Sequence, residues 1–303
     1  MLDSPAYLKT KAEGSLDSKI EELYSYFDPC ALCPRQCMAC REVNELGYCK
    51  APYNLSISSA FPHFGEESPL VGIHGSGTIF LSHCNLKCIF CQNYDISIYG
   101  DGVTCSHNQL ATIMMELQGR GCHNINLVTP THYVPHIMKA ISIAIDMGLA
   151  IPIVYNCGGY ESLEVIRLLD GIVDIYMPDI KFLDPLLASR LCKAEDYPEV
   201  VRSVVREMQR QVGDLSINQE GIATRGLLIR HLVMPSCGED TKRILRFIRE
   251  DISRNAFVNI MSQYHPCNWA EDYPEIAQRI TNREYADALG YARELGLLRA
   301  ANH

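Results

Sequence analysis

From residue 78 onward, short apolar runs alternate with segments of helical spacing, and this pattern limits the possible folds more than any other feature. The apolar runs resemble buried parallel strands, which are near-continuous in Ile, Val and Leu. Strands that alternate with helices pair in parallel through right-handed crossovers. The pattern therefore predicts an α/β fold. The predicted strands cover residues 78–82, 125–128, 151–155, 173–177, 226–233 and 257–261.

The number of units in this pattern predicts the kind of sheet. Six strand–helix units over about 180 residues are too few for a closed barrel of eight strands. We therefore expect a partial (βα)6 TIM-like barrel over residues 78–303, with a helical C-terminus and its chemistry at the carboxyl ends of the strands. Residues 1–77 are expected to be a separate N-terminal part. It would comprise a helical lead-in, a cysteine-rich segment at 30–52 and an irregular connector.

Cysteine usage indicates the compartment. The chain has 14 cysteines in 303 residues, and its N-terminus lacks the apolar core of a signal peptide. In a reducing compartment, clustered cysteines more often bind metal or carry out redox chemistry than form disulfides. We therefore predict a cytoplasmic metalloprotein. The scattered cysteines are expected to fill the core as small apolar side chains. They are Cys105, Cys122, Cys157, Cys192, Cys237 and Cys267.

Charge and hydropathy argue against a nucleic-acid-binding protein and against a membrane protein. The formal net charge is -9, and no Lys/Arg cluster of the kind that binds phosphate backbones is present, which argues against a broad nucleic-acid face. No apolar run approaches the ~20 residues that span a bilayer, so no membrane partner is predicted. The balance of 47% hydrophobic and 21% charged residues is typical of a soluble globular protein.

Three cysteines directly after the first predicted strand form the most specific motif. Cys84, Cys88 and Cys91 follow the spacing C-x3-C-x2-C. Thiolates suit iron–sulfur clusters, and a complete [4Fe–4S] site normally uses four of them. Three ligands would leave one iron open to a substrate or cofactor. The spacing alone also fits a zinc knuckle or a chance grouping, but its place after strand one and the aromatic Phe90 favour an open cluster.

Several phrases, in order along the chain, resemble radical S-adenosylmethionine enzymes of the pyruvate formate-lyase activating type. The likeness is closest to their relatives with an extra N-terminal cysteine segment. The resemblance implies an oxidoreductase in which the open iron chelates S-adenosylmethionine, and an electron cleaves it to methionine and a 5′-deoxyadenosyl radical. Phe90 would adjoin this cofactor. The phrases are DPCALCPRQC, GSGTIFLSHCNLKCIFCQN, NINLVTPTH, PIVYNCGGY, DIYMPDIKF, RGLLIRHLVMP and MSQYHP.

The resemblance also implies partners. An electron donor such as a flavodoxin or ferredoxin would reduce the cluster, and a glycyl radical enzyme would give up a hydrogen atom from its glycine. Radical modification of a small molecule or of another protein is an open alternative. A rival from another class is an iron–sulfur electron-transfer or interaction protein, and a third is a zinc-ribbon nucleic-acid module, against which the acidic charge argues.

Residues at later strand ends also match the family. Asp179 and Lys181 correspond to a D-x-K pair that holds the ribose of S-adenosylmethionine, and His265 to a histidine that reaches the same ribose. Asn156 matches a turn in which glycines let the backbone approach the cofactor. Without the resemblance, Asp179 and Lys181 would be read as a solvated surface pair.

The chain departs from the family after the second strand. Activating enzymes carry Gly-Gly-Glu there to bind the amino group of the cofactor, whereas this chain has Thr-Pro-Thr-His at 129–132. The hydroxyls of Thr129 or Thr131, or backbone carbonyls, would have to accept from the amine. His132 would either face the substrate or belong to the local turn. On strand five, alternation predicts that Arg230 or His231 points inward.

The N-terminal cysteines are a second metal candidate. Four well-placed thiolates close a zinc site or bind another cluster, and sequence does not separate the two. A structural role and electron relay both remain open, as do free thiols. The cysteines that match the relatives' pattern are Cys30, Cys33, Cys37 and Cys49, whereas Cys40 is extra to it.

Overall fold

The computed structural model describes residues 4–297 and 299–301. Its strands are β1 (Ser56–His63), β2 (Ser76–Leu81), β3 (Val103–Thr104), β4 (Ile125–Val128), β5 (Ile153–Cys157), β6 (Ile175–Pro178), β7 (Ser216–Ile217), β8 (Ala223–Leu232), β9 (Phe257–Met261) and β10 (Ala300–Ala301). Its α-helices are α1 (Ala6–Ala12), α2 (Leu16–Ser25), α3 (Ser68–Val71), α4 (Tyr94–Ser97), α5 (His107–Gly119), α6 (Val134–Asp146), α7 (Leu163–Leu168), α8 (Pro185–Cys192), α9 (Tyr197–Val212), α10 (Gly238–Phe247) and α11 (Asn282–Glu294).

One mostly parallel sheet forms the centre of the fold. Its strand order is β10-β9-β8-β6-β5-β4-β2-β1-β3, with β7 paired to β8. The six strands from β2 to β9 in this order are parallel neighbours, and helices follow them. This is the predicted α/β fold, a partial TIM-like barrel, and each of the six predicted strands overlaps one of these strands.

Local signals explain where the helices begin. Ser106 accepts from the backbone of Gln109, whose side chain in turn accepts from the Ser106 amide, and this capping box starts α5. Ser162 caps α7, and Asp184 caps α8 ahead of a proline in its first turn. Strand β5 is buried along its whole length, as expected for a central parallel strand.

Residues 53–77 differ from the irregular connector that the sequence suggested. They contain β1, which pairs antiparallel with β2 from Ile57 to His63, and the short helix α3. The residues of β1 do not alternate between buried and exposed, and Pro62 lies within the strand, so the sequence pattern does not mark it as a strand. The separation of residues 1–77 from the barrel stays a prediction, although β1 belongs to the barrel sheet.

The N-terminal helices run along the outside of the barrel. The Ala6 amide donates to Asp174, and the Tyr7 hydroxyl donates to the Ile151 carbonyl, both at the amino ends of strands. From there α2 packs against α6. This path delivers the cysteine-rich segment to the opposite end, where the strands finish. No helix within the described ranges is both long enough and apolar enough to cross a membrane.

Candidate functional site

A cavity of about 260 Å³ lies at the carboxyl ends of the parallel strands. That is close to the lower end of the volumes typical of ligand pockets, ~300 Å³. Side chains from the loops after β2, β4, β5, β6, β8 and β9 line it, as expected of a barrel. Predicted site residues that line the cavity are Cys84, Cys88, Phe90, Cys91, Thr129, Asn156, Asp179 and Lys181.

The three cysteines of the triplet lie together on one wall. Cys88 is buried, and Cys84 and Cys91 are half-buried. Burial raises the pKa of the Cys84 and Cys91 thiols, and in both cases the charge of Cys88 raises it further, so the three sulfurs influence one another. The Leu86 amide donates to Cys84 Sγ at 3.4 Å. The loop thus presents thiols that already have polar neighbours.

Cys88 has a neighbour that sequence reasoning assigned to the core. Its Sγ lies 3.4 Å from Cys192 Sγ, at the end of α8. This contact, together with the charge of Lys181, lowers the pKa of Cys88 in spite of its burial. Spacing did not signal Cys192, which is more than a hundred residues away.

Asp179 joins two cations at the edge of the cavity. Lys181 Nζ donates to its Oδ2 at 2.7 Å, and Arg230 Nε donates to its Oδ1 at 2.9 Å. Arg230 also donates to Asn156 Oδ1 at 2.7 Å. Burial alone would raise the pKa of Asp179, but the charges of Arg230 and Lys181 outweigh it and lower the pKa. Asp179 is therefore an ionised carboxylate within a network.

Arg230 is the inward-pointing residue of the pair on β8. The neighbouring His231 is buried on the other face, where its ring contacts the Ile180 carbonyl and the Thr241 hydroxyl. Arg230 Nη1 also lies 3.6 Å from Glu66 Oε2. Glu66 comes from the segment between β1 and α3, so this segment reaches a residue that lines the cavity. Sequence reasoning gave Glu66 no role, because it stands in the expected connector.

The loop after β4 places its two threonines differently. Thr129 lines the cavity with a left-handed backbone, φ 58. Thr131 is fully buried, and its hydroxyl donates to Glu161 Oε1 at 2.8 Å, so the structure does not bring Thr131 to the cavity. The other oxygen of Glu161 accepts from Tyr155 at 3.0 Å. Burial raises the pKa of Glu161 to about 7.

His132 belongs to the turn rather than to the cavity wall. It is buried, and its Nε2 donates to the Ser82 carbonyl at 2.7 Å. Burial lowers its pKa to about 3, so the ring is neutral. Its position beside Ser82 ties the β4 loop to the end of β2, just before the cysteine triplet.

His265 lies at the rim. It is half-buried, and its Nδ1 lies 3.2 Å from Gln92 Nε2 and 3.3 Å from the Gln263 carbonyl. Gln92 and Gln263 line the cavity, whereas the residues that line it do not include His265. Phe90 is buried, and its ring meets Phe182 edge-on at 6.0 Å between centroids.

Glycines after β5 allow the backbone to approach a neighbouring loop closely. Gly158 lines the cavity. Gly159 has φ 77, and a side chain there would press against the Asp179 carbonyl oxygen. Only glycine adopts this positive φ and also leaves room for that carbonyl oxygen without strain. The β5 loop can therefore lie directly against the β6 loop that carries Asp179.

The cysteine-rich segment packs on the loop of the triplet. Arg35 Nε donates to the Asn85 carbonyl at 3.1 Å, and its guanidinium lies 3.9 Å from the ring centroid of Tyr48. Lys87 Nζ lies 4.7 Å from the same centroid. Burial raises the pKa of Tyr48, and the charges of Cys88 and Cys84 raise it further. The two cysteine sets are therefore neighbours in the fold.

Within the segment, the cysteines differ in their exposure to solvent. Cys30 and Cys33 are buried, Cys49 is half-buried, and Cys37 and Cys40 are exposed. Burial raises the pKa of Cys33 to about 12, with further contributions from Cys49 and Cys30. Burial likewise raises the pKa of Cys30, and Cys37 and Cys49 add to it. Thus the charges of Cys37 and Cys49 act on Cys30, and those of Cys49 and Cys30 act on Cys33.

Gly47 is placed to leave room for one of these thiols. A Cβ on Gly47 would overlap Cys37 Sγ, so the backbone passes directly against that sulfur. Cys40 is held elsewhere by its own amide, which donates to Glu45 Oε2 at 2.9 Å. In the part of the chain that the structure describes, no three His, Cys, Asp or Glu side chains converge closely enough to chelate one metal ion.

Comparisons with known proteins agree with this architecture. The family model of the Radical SAM superfamily matches residues 78–218. Uncharacterized protein MJ0674 of Methanocaldococcus jannaschii is 35% identical over 295 residues, which is 93% of this chain and 79% of that protein. Its name assigns it no activity.

A solved structure shows a likeness of fold. SuiB of Streptococcus suis aligns with a TM-score of 0.50 at 13% identity, over 73% of this chain and 47% of its own. This chain thus spans about half the length of SuiB. Methylornithine synthase (PylB) aligns with a TM-score of 0.47 at 14% identity, over 73% of this chain and 61% of its own. The match of the family model therefore shows that residues 78–218 form a domain of the Radical SAM superfamily.

Proposed function

We propose that Cys84, Cys88 and Cys91 hold a [4Fe–4S] cluster whose open iron binds S-adenosylmethionine in the cavity at the barrel mouth. The observation that carries this proposal is that one cavity is lined by the three thiols and by the ion pair of Asp179 and Lys181. When bound, the cluster would supply the electron that cleaves S-adenosylmethionine to methionine and a 5′-deoxyadenosyl radical.

The groups around the triplet suit an anionic cluster. Besides the amide at Cys84 Sγ, the Ser97 hydroxyl lies 3.1 Å from Cys91 Sγ. Hydrogen bonds to cluster sulfurs tune the reduction potential. Lys181 adds a positive charge that lowers the pKa of Cys88. Each thiol thus has a neighbour that favours its thiolate form.

The far wall would hold the rest of the cofactor. In this proposal Asp179 accepts from the ribose hydroxyls, Lys181 keeps Asp179 ionised and oriented, and Asn156 contributes amide groups beside them. Thr129 is the threonine left to accept from the amino group, because Thr131 is committed to Glu161. His265 would approach the ribose from the rim, next to Gln92.

We propose a glycyl radical enzyme as the target of hydrogen abstraction. The order of the sequence phrases that resemble the activating enzymes supports this choice, and likeness of fold alone would not. Because the radical must be shielded from solvent, the protein's task is to exclude water while the glycine is presented at the mouth. A flavodoxin or ferredoxin would reduce the cluster, and a compartment that keeps thiols reduced, the cytoplasm, suits this chemistry.

We further propose that Cys30, Cys33, Cys37 and Cys49 form a second metal centre in a distinct N-terminal part. The effect of the charges of Cys37 and Cys49 on Cys30 and the clearance that Gly47 gives to Cys37 support this ligand set. A segment as short as 30–52 has little core of its own, and metal binding would stabilise its fold. Zinc and an iron–sulfur cluster both satisfy four thiolates.

The decisive experiment is replacement of the triplet. Anaerobically reconstituted protein is expected to hold about four iron and four sulfide at this site, as the cluster type requires. The triple variant with Cys84, Cys88 and Cys91 changed to alanine should lose that iron and all reductive cleavage of S-adenosylmethionine. A matched control changes Cys122 and Cys237, which are buried outside the cavity, to alanine.

Each outcome has a distinct meaning. Retained cleavage in the triple variant would reject the triplet as the cluster site. An intact cluster in the unmodified protein that neither binds nor cleaves S-adenosylmethionine would instead indicate an electron carrier. Cleavage without a glycyl radical on the partner enzyme, read by electron paramagnetic resonance, would leave the radical chemistry standing and reject the proposed substrate.

A further inference from the structure

Glu67 is a carboxylate buried inside the barrel. It directly precedes α3, and the residue is 3% exposed. Its Oε1 accepts from Asn259 Nδ2 on β9 at 2.9 Å, whereas its Oε2 is buried and has no hydrogen-bond partner. None of the ion pairs within the described ranges involves Glu67. A buried charge without a counter-ion is strongly unfavourable, so a cationic partner is expected at this carboxylate.

Two asparagines of the barrel walls face the same interior as the cavity. Asn259 pairs in register with Arg230, which lines the cavity, and Met261, two residues further along β9, lines it as well. Asn126 lies two residues before the cavity-lining Val128 on β4. Because side chains two residues apart on a strand share a face, both asparagines point into the barrel. Asn259 Oδ1 and both amide atoms of Asn126 are buried without a hydrogen-bond partner.

The segment that carries Glu67 crosses the interior between these two walls. Leu70, one helical turn later, is fully buried, and its carbonyl accepts from Asn124 Nδ2 at 2.8 Å. Asn124 directly precedes β4, whereas Asn259 lies on β9, and these two strands are not neighbours in the sheet. Glu67 is thus held between the wall that carries Asn259 and the wall that carries Asn126.

The unpartnered atoms are mainly acceptors, and this limits what they can bind. Glu66, next to Glu67, adds a second carboxylate. Its Oε2 lies 3.6 Å from Arg230 Nη1 and its Oε1 lies 3.6 Å from His63 Nδ1, and both distances are too long for a hydrogen bond. A metal ion is disfavoured, because no three His, Cys, Asp or Glu side chains of the described residues are placed to hold one. An ammonium group, with three donors and one positive charge, suits such acceptors.

We propose that Glu67 and Asn259 bind the ammonium group of a primary amine, with Glu66 beside them and Asn126 on the opposite wall. This rests on the proposed function and deepens it, because the amine belongs to the substrate from which hydrogen is abstracted. The amine is either a lysine side chain of a protein substrate or a free small molecule. The alternative is that ordered water alone satisfies these groups.

Three small probes separate charge from hydrogen bonding. n-Butylamine is the lysine side chain without its backbone, and it is protonated at pH 7 as lysine is. 1-Butanol has the same carbon chain and is neutral, and tetramethylammonium is charged but has no N–H donor. Each probe is titrated by calorimetry into the full chain at pH 7. We expect n-butylamine to bind at least about tenfold more tightly than either of the others, because it alone donates charged hydrogen bonds.

Glu67→Gln is the main variant. Glutamine keeps the shape of the side chain and can still accept from Asn259, but it removes the charge. The change should weaken n-butylamine binding at least about tenfold. Its melting temperature should be unchanged or higher, because an uncompensated buried charge is removed. The matched control is Glu161→Gln, which removes a buried carboxylate whose two oxygens already have donors and should leave n-butylamine binding unchanged.

A second variant keeps the test decisive if Glu67→Gln does not fold. Asn126→Leu replaces two partnerless amide atoms with methyl groups of similar volume. It should weaken n-butylamine binding roughly fivefold, the effect of one neutral hydrogen bond. Its melting temperature should not fall, because the amide has no partner to lose within the protein.

The outcomes separate the amine site from the function on which it rests. If n-butylamine does not bind at millimolar concentration, or binds no more tightly than 1-butanol, water alone satisfies these groups and the amine site is rejected. Binding that neither variant weakens lies elsewhere and rejects it equally. These titrations do not depend on cleavage of S-adenosylmethionine, so a failure here leaves the proposed cluster standing, and loss of the cluster proposal leaves the amine titration readable.

A peptide probe identifies the source of the amine once n-butylamine is shown to bind. Acetylglycyl-lysine amide is titrated in the same way. Tighter binding than that of n-butylamine supports a lysine of a protein substrate, because the peptide part then adds contacts. Weaker binding supports a free amine that fills the site alone.

Discussion

Arg230 Nε donates to Asp179 Oδ1 at 2.9 Å and so connects β8 to the end of β6 at the cavity edge. The same guanidinium reaches Asn156 Oδ1 at 2.7 Å, which adds the end of β5. Three strand ends are thus fixed relative to one another by one cation. Because its position is fixed by Arg230 and Lys181, Asp179 can present its remaining lone pairs in one orientation. The proposed cofactor site is therefore organised before any cofactor binds.

The first prediction concerns Asp179→Ala. The variant should bind S-adenosylmethionine at least about tenfold more weakly, since a hydrogen bond to a charged group contributes roughly 1.5–3 kcal/mol. Iron content should be unchanged because Asp179 is not a thiol ligand. Calorimetric titration of the reconstituted protein measures the dissociation constant. Asp184→Ala is the control, as Asp184 also pairs with an arginine but lies outside the cavity. An unaltered dissociation constant would remove Asp179 from the site.

A second prediction follows from the position of Arg230 between two carboxylates. Arg230→Gln should destabilise the fold by about 3–5 kcal/mol at pH 7, the usual cost of breaking a buried ion pair from one side. The pKa of Asp179 would then rise, because Arg230 now lowers it. Lys181 still pairs with Asp179, whereas Glu66 loses its arginine, whose charge opposes the rise in pKa that burial causes at Glu66. Protonation of Glu66 can relieve its charge, so the loss should shrink at pH 5. Urea unfolding at both pH values measures this, and an equal loss at the two would contradict it.

The third prediction concerns the contact between Cys192 and Cys88. Once Cys88 is a thiolate ligand, only Cys192 can donate across the 3.4 Å between their sulfurs. Hydrogen bonds to cluster sulfurs help to set the potential, and a donor favours the more negative, reduced state. Cys192→Ala should therefore make the reduction potential more negative without loss of iron. A redox titration followed by electron paramagnetic resonance tests this, with Cys122→Ala as control. A higher potential would show that Cys192 does not donate.

Much of this arrangement could be predicted from the sequence because its signals are local. The strand at 125–128 is a short run with period and composition of a buried strand, and it matches β4. Cys84, Cys88 and Cys91 lie within eight residues, so their grouping needed no tertiary information. Asp179 and Asn156 could be placed because parallel strands bring their carboxyl ends to one edge.

The rest depends on contacts between distant residues. Arg41 meets the carbonyl of His132 across 91 positions, and no local pattern marks it as buried. The sequence suggested that Thr131 faces the cofactor, because it does not reveal the actual partner of this side chain. That partner, Glu161, lies on the loop after the next strand, 30 positions away. Strand β1 was missed for a similar reason, since its pairing with β2 rather than its composition makes it a strand.

The last prediction uses the buried carboxyl of Glu161. Burial raises its pKa from 4.5 to about 7. The folded protein therefore holds this proton over a range in which the unfolded chain has lost it. The stabilisation is complete below pH 4.5 and is lost as the pH rises to 7. Since one pKa unit corresponds to about 1.4 kcal/mol, the loss amounts to roughly 3 kcal/mol.

A neutral side chain at this position would escape that loss. Glu161→Gln should be more stable than the unmodified protein at pH 7.5. Removing the titrating carboxyl gains up to about 3 kcal/mol, and a weakened bond to Thr131 or Tyr155 costs roughly 1 kcal/mol of this gain. At pH 4.5 the titration costs almost nothing, so the variant should be less stable than the unmodified protein by roughly 1 kcal/mol, the cost of the weakened bond. Urea unfolding of metal-free protein across this range gives the difference directly, with the exposed neighbour Glu164→Gln as control. If Glu161→Gln is equally destabilising at both pH values, the carboxyl is ionised in the fold, and its bonds to Thr131 and Tyr155 outweigh the effect of burial.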